Sequence, residues 1–561
     1  MNKRILFLLG GFIALFLVYE LGVKGVERSE TRTIADVVYL NGKVWTGVEG
    51  ASNVQAIATR GDKIIGVGSS TQIMALKGLN TQVIDLGDKL VIPGFIDNHT
   101  HFINTGFNLA SVKLRDAATQ KDFAKRIRDF AKTLEPGTWI LGGEWDHELW
   151  GGELPKAEWI DALTPNNPVF VTRLDGHMSL ANSLVIALSG VTTDDEDPLG
   201  GYIARDEEGA PAGVFKDTAQ DAIFKIMPKT SDQENTRAIK AATDLALSNG
   251  VTQIHDVNLW SDLEAFKKVN DAKDLNLRVY SFVPLASWER LRDYVSVNGM
   301  SNGMHRWGGL KGMVDGSLGS TTAWFYDPYN DEPETSGFPL AGLDIMAQNI
   351  IGANKAGLHL AVHAIGDKAN DWLLDRFQDA IKTNGAGDHR FRIEHAQHIT
   401  NDAFGRFKEL GVIPSMQPYH AIDDGRWAEK RIGEDRIKTT YAFRSFLDAG
   451  AMLTFGSDTP VAAMTPLVGI YAAVTRQTID GANPEGWIPK ENITVKEALK
   501  AYTSSNAYAG FQENELGTLE VGKLADFVIL GEDIFTILPS AIENVNVLKT
   551  IIGGKLRYER K

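Results

Sequence analysis

An alternation of short apolar runs with amphipathic segments fills the middle of this 561-residue chain, from Gly94 to about Gly510. The apolar runs have the length of buried strands, and the segments between them have helical periodicity. Strand–helix units repeated in this way build parallel sheets, and eight of them close into a (β/α)8 barrel. The sequence therefore predicts the α/β class, with a TIM barrel over residues 93–511.

The region contains ten candidate strands, two more than this barrel needs. They are GFIDNH, TWILGGEW, PVFVTRLDGH, VTQIHDV, LRVYSFV, LKGMVD, LHLAVHAI, FRIEHA, VIPSMQP and MLTFGSD. Residues of about 140–225 are rich in glycine, proline and aspartate and cover the second and third candidates. We therefore expect this stretch to be an insertion that accounts for the surplus.

Both ends of the chain have a different, β-rich texture. Short alternating runs with Asn-Gly and Gly-Asp turns occupy residues 36–92, and the same pattern returns over residues 512–561. Because the same β-strand pattern occurs on both sides of the barrel, we predict a small composite β-sandwich. Both termini form it, and it packs beside the barrel.

The first residues have the composition of a targeting segment. Lys3 and Arg4 precede a 15-residue apolar run that Glu20 closes. A signal-peptide core has roughly 7–15 apolar residues, whereas a bilayer span needs about 20. We expect residues 1–30 to be a signal peptide or an N-terminal membrane anchor, and the protein to be exported, either periplasmic or anchored facing outside the cytoplasm. No A-x-A cleavage motif decides between the two, and a buried helix is the third alternative.

Composition excludes several classes of function. A net charge of −15 argues against a nucleic-acid-binding protein, which would present a basic face. The absence of cysteine from the sequence excludes disulfides and thiolate metal sites. A transition metal would have to be bound by His, Asp, Glu or a modified lysine. An oligomer is compatible with this composition.

The motif GFIDNHTHF places His99 and His101 at the carboxyl end of the first barrel strand. Residues two apart in a strand point to the same face, so both imidazoles can reach one cation. The carboxyl ends of the strands line the active site of such a barrel. Taken alone, the pair is also compatible with two hydrogen-bonded loop histidines.

Later strand ends add to this pair. His363, His395 and Asp458 each end a candidate strand, and this ordered set favours a metal site over isolated core residues. Asp458 would also suit the start of the following helix as a cap. His177 and His255 end further candidate strands and are predicted to donate hydrogen bonds to a substrate, with a bond to a loop carbonyl as the alternative.

Lys311 lies in the apolar run GGLKGMVD. Two dications would repel an unmodified ammonium group. A lysine carbamylated by CO2 becomes an anion whose two oxygens can bridge two metals. The alternative is a lysine that extends its charged end to the surface.

Together, VIPGFIDNHTH, Lys311, His363, His395 and the GSD motif with Asp458 resemble the metal ligands of the amidohydrolase superfamily in type and order. DVVYLNGKVWTG and GTLEVGKLADFVIL resemble its composite β-sandwich. RLDGHMSLANS, GVTQIHD and DGSLGSTTAWFYDPY are similar to the amidohydrolase-3 type, which includes bacterial N-substituted formamide deformylases. The resemblance extends from about residue 36 onward.

The resemblance implies two divalent metal ions, usually zinc, bridged by a carbamylated lysine and a hydroxide. Carried over residue by residue, the first metal is bound by His99, His101 and Asp458, the second by His363 and His395, and Lys311 is shared. One departure stands out: where GSRTA is expected, this chain has GSTTA, with Thr321 and Thr322. An arginine that would orient a polar substrate group is missing, so the resemblance does not transfer a particular substrate.

The implied reaction is hydrolysis of a non-peptide C–N bond in a small amide or formamide-like molecule by the metal-bridging hydroxide. Asp458 would take the proton of this hydroxide and pass it to the leaving nitrogen. The alternatives are a mononuclear deaminase-type site that leaves Lys311 unused, and an ester or lactone hydrolase. A catalytically inactive, envelope-anchored binding protein is a further alternative, although all six ligand positions are present.

Overall fold

A computed structural model describes residues 34–561, apart from residues 52, 258 and 341. The predicted signal peptide or anchor, residues 1–30, lies outside the described residues. Among the helices of the described ranges, none is long and apolar enough to cross a membrane.

Short strands and a helix precede the barrel. They are β1 (Val37–Leu40), β2 (Lys43–Val44), β3 (Ala56–Arg60), β4 (Lys63–Gly68), α1 (Ser70–Met74), β5 (Gln82–Asp85) and β6 (Leu90–Pro93). One sheet has the order β4-β3-β1-β5, whereas β2 pairs with β6 in a different sheet.

The barrel begins with β7 (Phe95–Thr100), which α2 (Phe102–Asn108) follows. A second group of strands and helices then interrupts it. These are β8 (Val112–Lys113), α3 (Gln120–Ala131), β9 (Ile140–Trp145), β10 (Val169–Arg173), β11 (Met178–Ala181), α4 (Ser183–Ser189), β12 (Gly201–Arg205), β13 (Pro211–Asp217) and α5 (Asp221–Phe224).

The strands of this group pair in the order β12-β13-β11-β10-β9-β8 and form a sheet of their own. TWILGGEW and PVFVTRLDGH therefore supply β9 and β10 of this sheet and not barrel strands. The sheet starts at Val112, earlier than residue 140, where the change in composition placed the insertion. Because β8 has only two residues, it shows no alternation that the sequence pattern could reveal.

The remaining barrel elements follow as strand–helix units. They are α6 (Asp232–Ser248), β14 (Val251–Val257), α7 (Trp260–Asp271), β15 (Arg278–Pro284), α8 (Trp288–Asn298), β16 (Ser301–Asn302), β17 (His305–Met313), α9 (Leu343–Lys355), β18 (His359–Ala364), α10 (Asp367–Asn384), β19 (Arg392–His395), α11 (Ala403–Leu410), β20 (Ile413–Met416), α12 (Pro418–Asp424), α13 (Ala428–Arg436), α14 (Phe443–Asp448), β21 (Thr454–Phe455), α15 (Pro466–Thr475), α16 (Val495–Tyr502) and α17 (Ser504–Ala509).

The barrel strands have the order β21-β20-β19-β18-β17-β15-β14-β7, with parallel pairing throughout this path. A parallel bridge from Thr100 to Thr459 joins the two ends of the path. Strands such as β7 and β18 are buried along their whole length, as expected of parallel strands covered on both faces. The predicted α/β class and (β/α)8 barrel are confirmed.

The chain ends with β22 (Phe527–Leu530), β23 (Val547–Ile552) and β24 (Lys555–Glu559). These strands join the N-terminal part through the antiparallel pair β6–β22, which gives the sheet order β2-β6-β22-β23-β24. An apolar cluster between the two terminal sheets contains Tyr39, Ile57, Val91, Phe527 and Ile551. Both ends of the chain thus contribute to one β-rich unit.

Candidate metal centre

The six predicted metal ligands lie at or near the carboxyl ends of five barrel strands. His99 is in β7 and His101 directly follows it, Lys311 is in β17, His363 in β18 and His395 at the end of β19, and Asp458 follows β21. The barrel therefore brings together residues that are distant in the sequence.

His99, His101 and Asp458 form the tightest group. Oδ1 of Asp458 lies 3.5 Å from Nε2 of His99 and 3.3 Å from Nε2 of His101. This oxygen is buried and accepts no hydrogen bond from the described residues. A buried carboxylate oxygen without a donor calls for a partner, and two imidazole nitrogens beside it are suitable fellow ligands for a divalent cation.

Backbone contacts fix the relative position of these three residues. The amide of Asp458 donates to the carbonyl of His99 at 2.8 Å, and the amide of His101 donates to the carbonyl of Thr459 at 2.8 Å. Gly456 permits this close approach, because a Cβ there would lie 2.5 Å from Oδ1 of Asn98 and 2.6 Å from the amide nitrogen of His99. The glycine of the GSD motif is thus explained by packing.

Glu394 orients His99 through the ring nitrogen that points away from Asp458. Its carboxylate bonds to Nδ1 of His99, accepts a 2.8 Å hydrogen bond from Oγ of Ser415 and lies 2.7 Å from Nε of Arg392. Burial alone would raise the pKa of Glu394, but Arg392 and His99 lower it below its ordinary value. The ionised carboxylate keeps the proton of His99 on Nδ1 and leaves Nε2 for a metal.

His363 and His395 are also oriented by a hydrogen bond at one ring nitrogen. Nδ1 of His395 bonds to Oε1 of Gln417 at 2.8 Å, and Nε2 of His363 bonds to the carbonyl of Gly316 at 3.0 Å. The nitrogens left for a metal are Nε2 of His395 and Nδ1 of His363. The two ring centroids are 4.5 Å apart.

Lys311 lies beside the first group. Its Nζ is 3.1 Å from Nε2 of His99, inside the barrel. Burial lowers the pKa of Lys311 to about 8, so more of this amine is uncharged at neutral pH than in an exposed lysine. An uncharged amine is the form that reacts with CO2.

His177 and His255 have different surroundings. The ring of His177 lies 5.3 Å from that of His363, and its Nδ1 is 2.6 Å from Oδ1 of Asp217. His255 is buried, bonds to Nη1 of Arg392 at 3.0 Å and packs against Phe282. The structure therefore places His177 at the candidate centre, and His255 among core residues on the far side of Arg392.

His420 also lies at the centre, although the sequence pattern did not predict it. Together with His395 and Asp458 it forms a second group of candidate ligands. The apolar run of β20 ends at Met416, and His420 lies four residues further on, in α12. The sequence signal that could have found His420 is its position shortly after the end of a barrel strand. Gln417 has the same kind of position.

Comparisons with known proteins bear on this centre. The sequence pattern of the amidohydrolase family matches residues 82–558. The chain belongs to the amidohydrolase family. It is 38% identical over 540 residues to the Protein LONG AFTER FAR-RED 3 of Arabidopsis thaliana, an alignment that covers 94% of this chain and 92% of that protein.

This amidohydrolase is also 27% identical over 541 residues to the N-substituted formamide deformylase of Arthrobacter pascens, with 94% of this chain and 98% of that enzyme covered. Among solved structures, it is similar to an uncharacterized metal-dependent hydrolase from Pyrococcus furiosus, with a TM-score of 0.70 and 30% identity over 89% of this chain and 99% of that one. The predicted family resemblance is confirmed, and the protein is a metal-dependent hydrolase of the amidohydrolase type.

Proposed function

We propose that this amidohydrolase hydrolyses a non-peptide C–N bond in a small amide or formamide-like molecule. We further propose that it uses two divalent metal ions, with zinc as the expected metal. The observation that carries the proposal is the convergence of four imidazoles and one carboxylate at one end of the barrel. Three of these imidazoles have one ring nitrogen held by a protein group and the other left for a metal. The proposed ligands are His99, His101, Lys311, His363, His395 and Asp458.

When bound, such metals supply a water that deprotonates near neutral pH and polarise the carbonyl of the substrate. Asp458 is the residue placed to move protons. Burial alone would raise its pKa, but the neighbouring His99 and His101 lower it well below the ordinary value. Its carboxylate is therefore ionised at neutral pH, able to accept a proton from the attacking water and to return it to the leaving nitrogen.

His177 is proposed to contact the substrate. Burial lowers the pKa of His177, but Asp217 raises it by more, so the pKa lies above the ordinary value. With Nδ1 bonded to Asp217, Nε2 is the nitrogen that can donate to a substrate oxygen. We propose a carbamate on Lys311 as the anion that balances the charge of two metals.

The substrate class is supported by the deformylase relative and by Thr321. Thr321 is buried, and its Oγ1 lies 3.0 Å from both Nη1 of Arg431 and Oε1 of Glu332. This hydroxyl is thus engaged within the protein, and position 321 offers no guanidinium group to a substrate carboxylate. We therefore expect uncharged N-substituted amides to be better substrates than N-acyl amino acids.

The test combines metal content with a substrate screen. We expect purified protein loaded with zinc to bind two ions per chain and to cleave N-substituted formamides faster than N-acyl amino acids, while Asp458→Asn loses at least about 100-fold in kcat/KM. One metal per chain would favour the mononuclear site, and cleavage of esters or lactones in place of amides would overturn the C–N assignment.

We also propose that the protein is exported and acts in the periplasm or at the outer face of the membrane, with residues 1–30 as signal peptide or anchor. Lys3, Arg4 and the apolar run after them support this. Cell fractionation with a C-terminal tag tests it, and a protein confined to the cytosolic fraction would contradict it.

A further inference from the structure

His420 is a largely buried imidazole, with 12% of its side chain exposed, and one of its ring nitrogens is unused. Its Nε2 is shielded from solvent and makes no hydrogen bond with the described residues. The same atom lies 4.0 Å from Oδ2 of Asp458. A buried polar atom without a partner is destabilising, so such an atom beside Asp458 points to a ligand that would bond to it.

The turn that carries His420 also carries a group that holds a metal ligand. Gln417 precedes α12, Pro418 begins it, and the amide of His420 donates to the carbonyl of Gln417 at 3.1 Å. The side chain of Gln417 bonds to Nδ1 of His395. The rings of His420 and His395 are nearly parallel, at 13° and 6.3 Å between centroids. One short turn thus orients His395 and sets His420 above it.

The distances around Asp458 favour a substrate contact over a metal ligand at His420. Two ligand atoms of a tetrahedral zinc site, each about 2.0–2.1 Å from the metal, lie about 3.3 Å apart. His101 and His99 meet this value, at 3.3 and 3.5 Å from Oδ1 of Asp458. The 4.0 Å between Nε2 of His420 and Oδ2 of Asp458 is wider than this value, although His395, His420 and Asp458 lie close enough together to form a candidate metal group. The 4.0 Å separation also suits two hydrogen bonds of about 2.8 Å that converge on the same reacting group.

We propose that His420 is a substrate-positioning residue whose Nε2 donates a hydrogen bond to the acyl oxygen of the scissile amide, next to the nitrogen that Asp458 protonates. The inference rests on the proposed function and names the group of the substrate that is recognised. It predicts a preference for substrates with a carbonyl oxygen at the reacting carbon.

The charges that face His420 are compatible with this role. They belong to Asp458, Asp423, Arg115 and Asp175, and burial lowers the pKa of His420 below its ordinary value. A neutral imidazole carries a single N–H and is not repelled by cations in the neighbouring site.

The test uses the zinc-loaded full-length protein and two variants, His420→Leu, which has no donor, and His420→Gln, which keeps an N–H. Loss of one preorganised donor to a developing oxyanion costs about 100–1,000-fold in kcat/KM. We expect this loss in His420→Leu, a partial recovery in His420→Gln, and unchanged zinc content in both. His389→Gln, at a histidine that bonds to Asn354 and Gly385 in a loop before β19, is the matched control.

Three other results of this experiment would overturn the inference, and they can be told apart. Loss of zinc from His420→Leu would make His420 a metal ligand. Wild-type kinetics in His420→Leu would leave it without a substrate contact, although the proposed function would stand. A wild-type protein that cleaves no carboxamide would overturn the proposed function together with this inference.

Discussion

Oδ1 of Asp217 lies 2.6 Å from Nδ1 of His177, and both residues belong to the insertion and not to the barrel, with His177 in the turn directly before β11. Asp217 ends β13 and has a positive φ of 47°, a conformation that few residues with a side chain adopt. The insertion therefore contributes an oriented imidazole to a centre that the barrel strands build. This hydrogen bond is one of the contacts that link the shape of the insertion to that of the centre.

Asp217→Asn should weaken catalysis without removing metal. The substitution takes away the negative charge that orients His177 and keeps its proton on Nδ1, and loss of such supporting groups costs about 10–100-fold. We expect kcat/KM to fall within this range, with zinc per chain unchanged. Glu207→Gln, at an exposed turn of the same sheet, is the control; equal activity of the two variants would contradict the role of His177.

Glu394→Gln should lower both metal affinity and stability. The variant leaves Arg392 buried without its counter-charge, and a broken buried pair costs about 3–5 kcal/mol. Because Glu394 also bonds to His99, we expect zinc affinity to fall about 10–100-fold. Thermal unfolding and competition with a chelator measure the two effects. Glu513→Gln, which breaks the more exposed pair with Arg390, should change zinc affinity little.

Bicarbonate should promote metal binding through Lys311. If a carbamate bridges the metals, reconstitution of CO2-depleted protein with zinc should give more metal per chain when bicarbonate is present. Lys311→Met, which has no amine, should bind less zinc and show no response. Labelling with ¹³C-bicarbonate should give a carbamate carbonyl signal in the wild-type protein alone. A bicarbonate effect of equal size in the variant would exclude the carbamate at this position.

Asp175 should contribute stability that is lost in acid. Burial alone would raise its pKa, but Arg173 and His177 and the hydroxyls of Ser317 and Ser320 lower it from 3.8 to about 2. A pKa that is lower in the folded state means that the stabilisation is present above the unfolded value and disappears as the pH falls through the folded one.

We therefore expect the free energy of unfolding of the metal-free wild type, compared with Asp175→Asn, to decrease by about 2 kcal/mol between about pH 6 and about pH 2. Denaturant titrations at a series of pH values measure this difference. A difference that stays constant with pH would show that the carboxylate is not preferentially ionised in the folded state.

Much of the centre could be predicted because the carboxyl ends of barrel strands are recognisable in the sequence. An apolar run followed by a polar side chain marks His99, His363 and His395, and their order in the chain gives the order around the barrel. The supporting residues give no such signal. Glu394 lies within a strand, and its partner His99 lies on a strand far away in the sequence, so only the barrel geometry brings the two together.

Periodicity also failed where elements are short. β8 is two residues long, so no alternation in the sequence marks the start of the inserted sheet at Val112. The interpretation of strand ends treats His255 like His177, as a donor to the substrate, although the barrel turns His255 towards Arg392. A strand-end position shows that a side chain lies near the mouth of the barrel, but its direction depends on the residues packed around it.

The bridge between Thr100 and Thr459 has a consequence for how the protein is made. It joins the first and last strands of the barrel, and His101 and Asp458 sit on its two sides. During translation His101 leaves the ribosome long before Asp458, so a nascent chain, or one truncated before Asp458, has His99 and His101 of the proposed first cation site without their carboxylate partner. Metal binding at the proposed site would therefore require a completed barrel, and a bound cation would connect the first barrel strand to the loop after the last one.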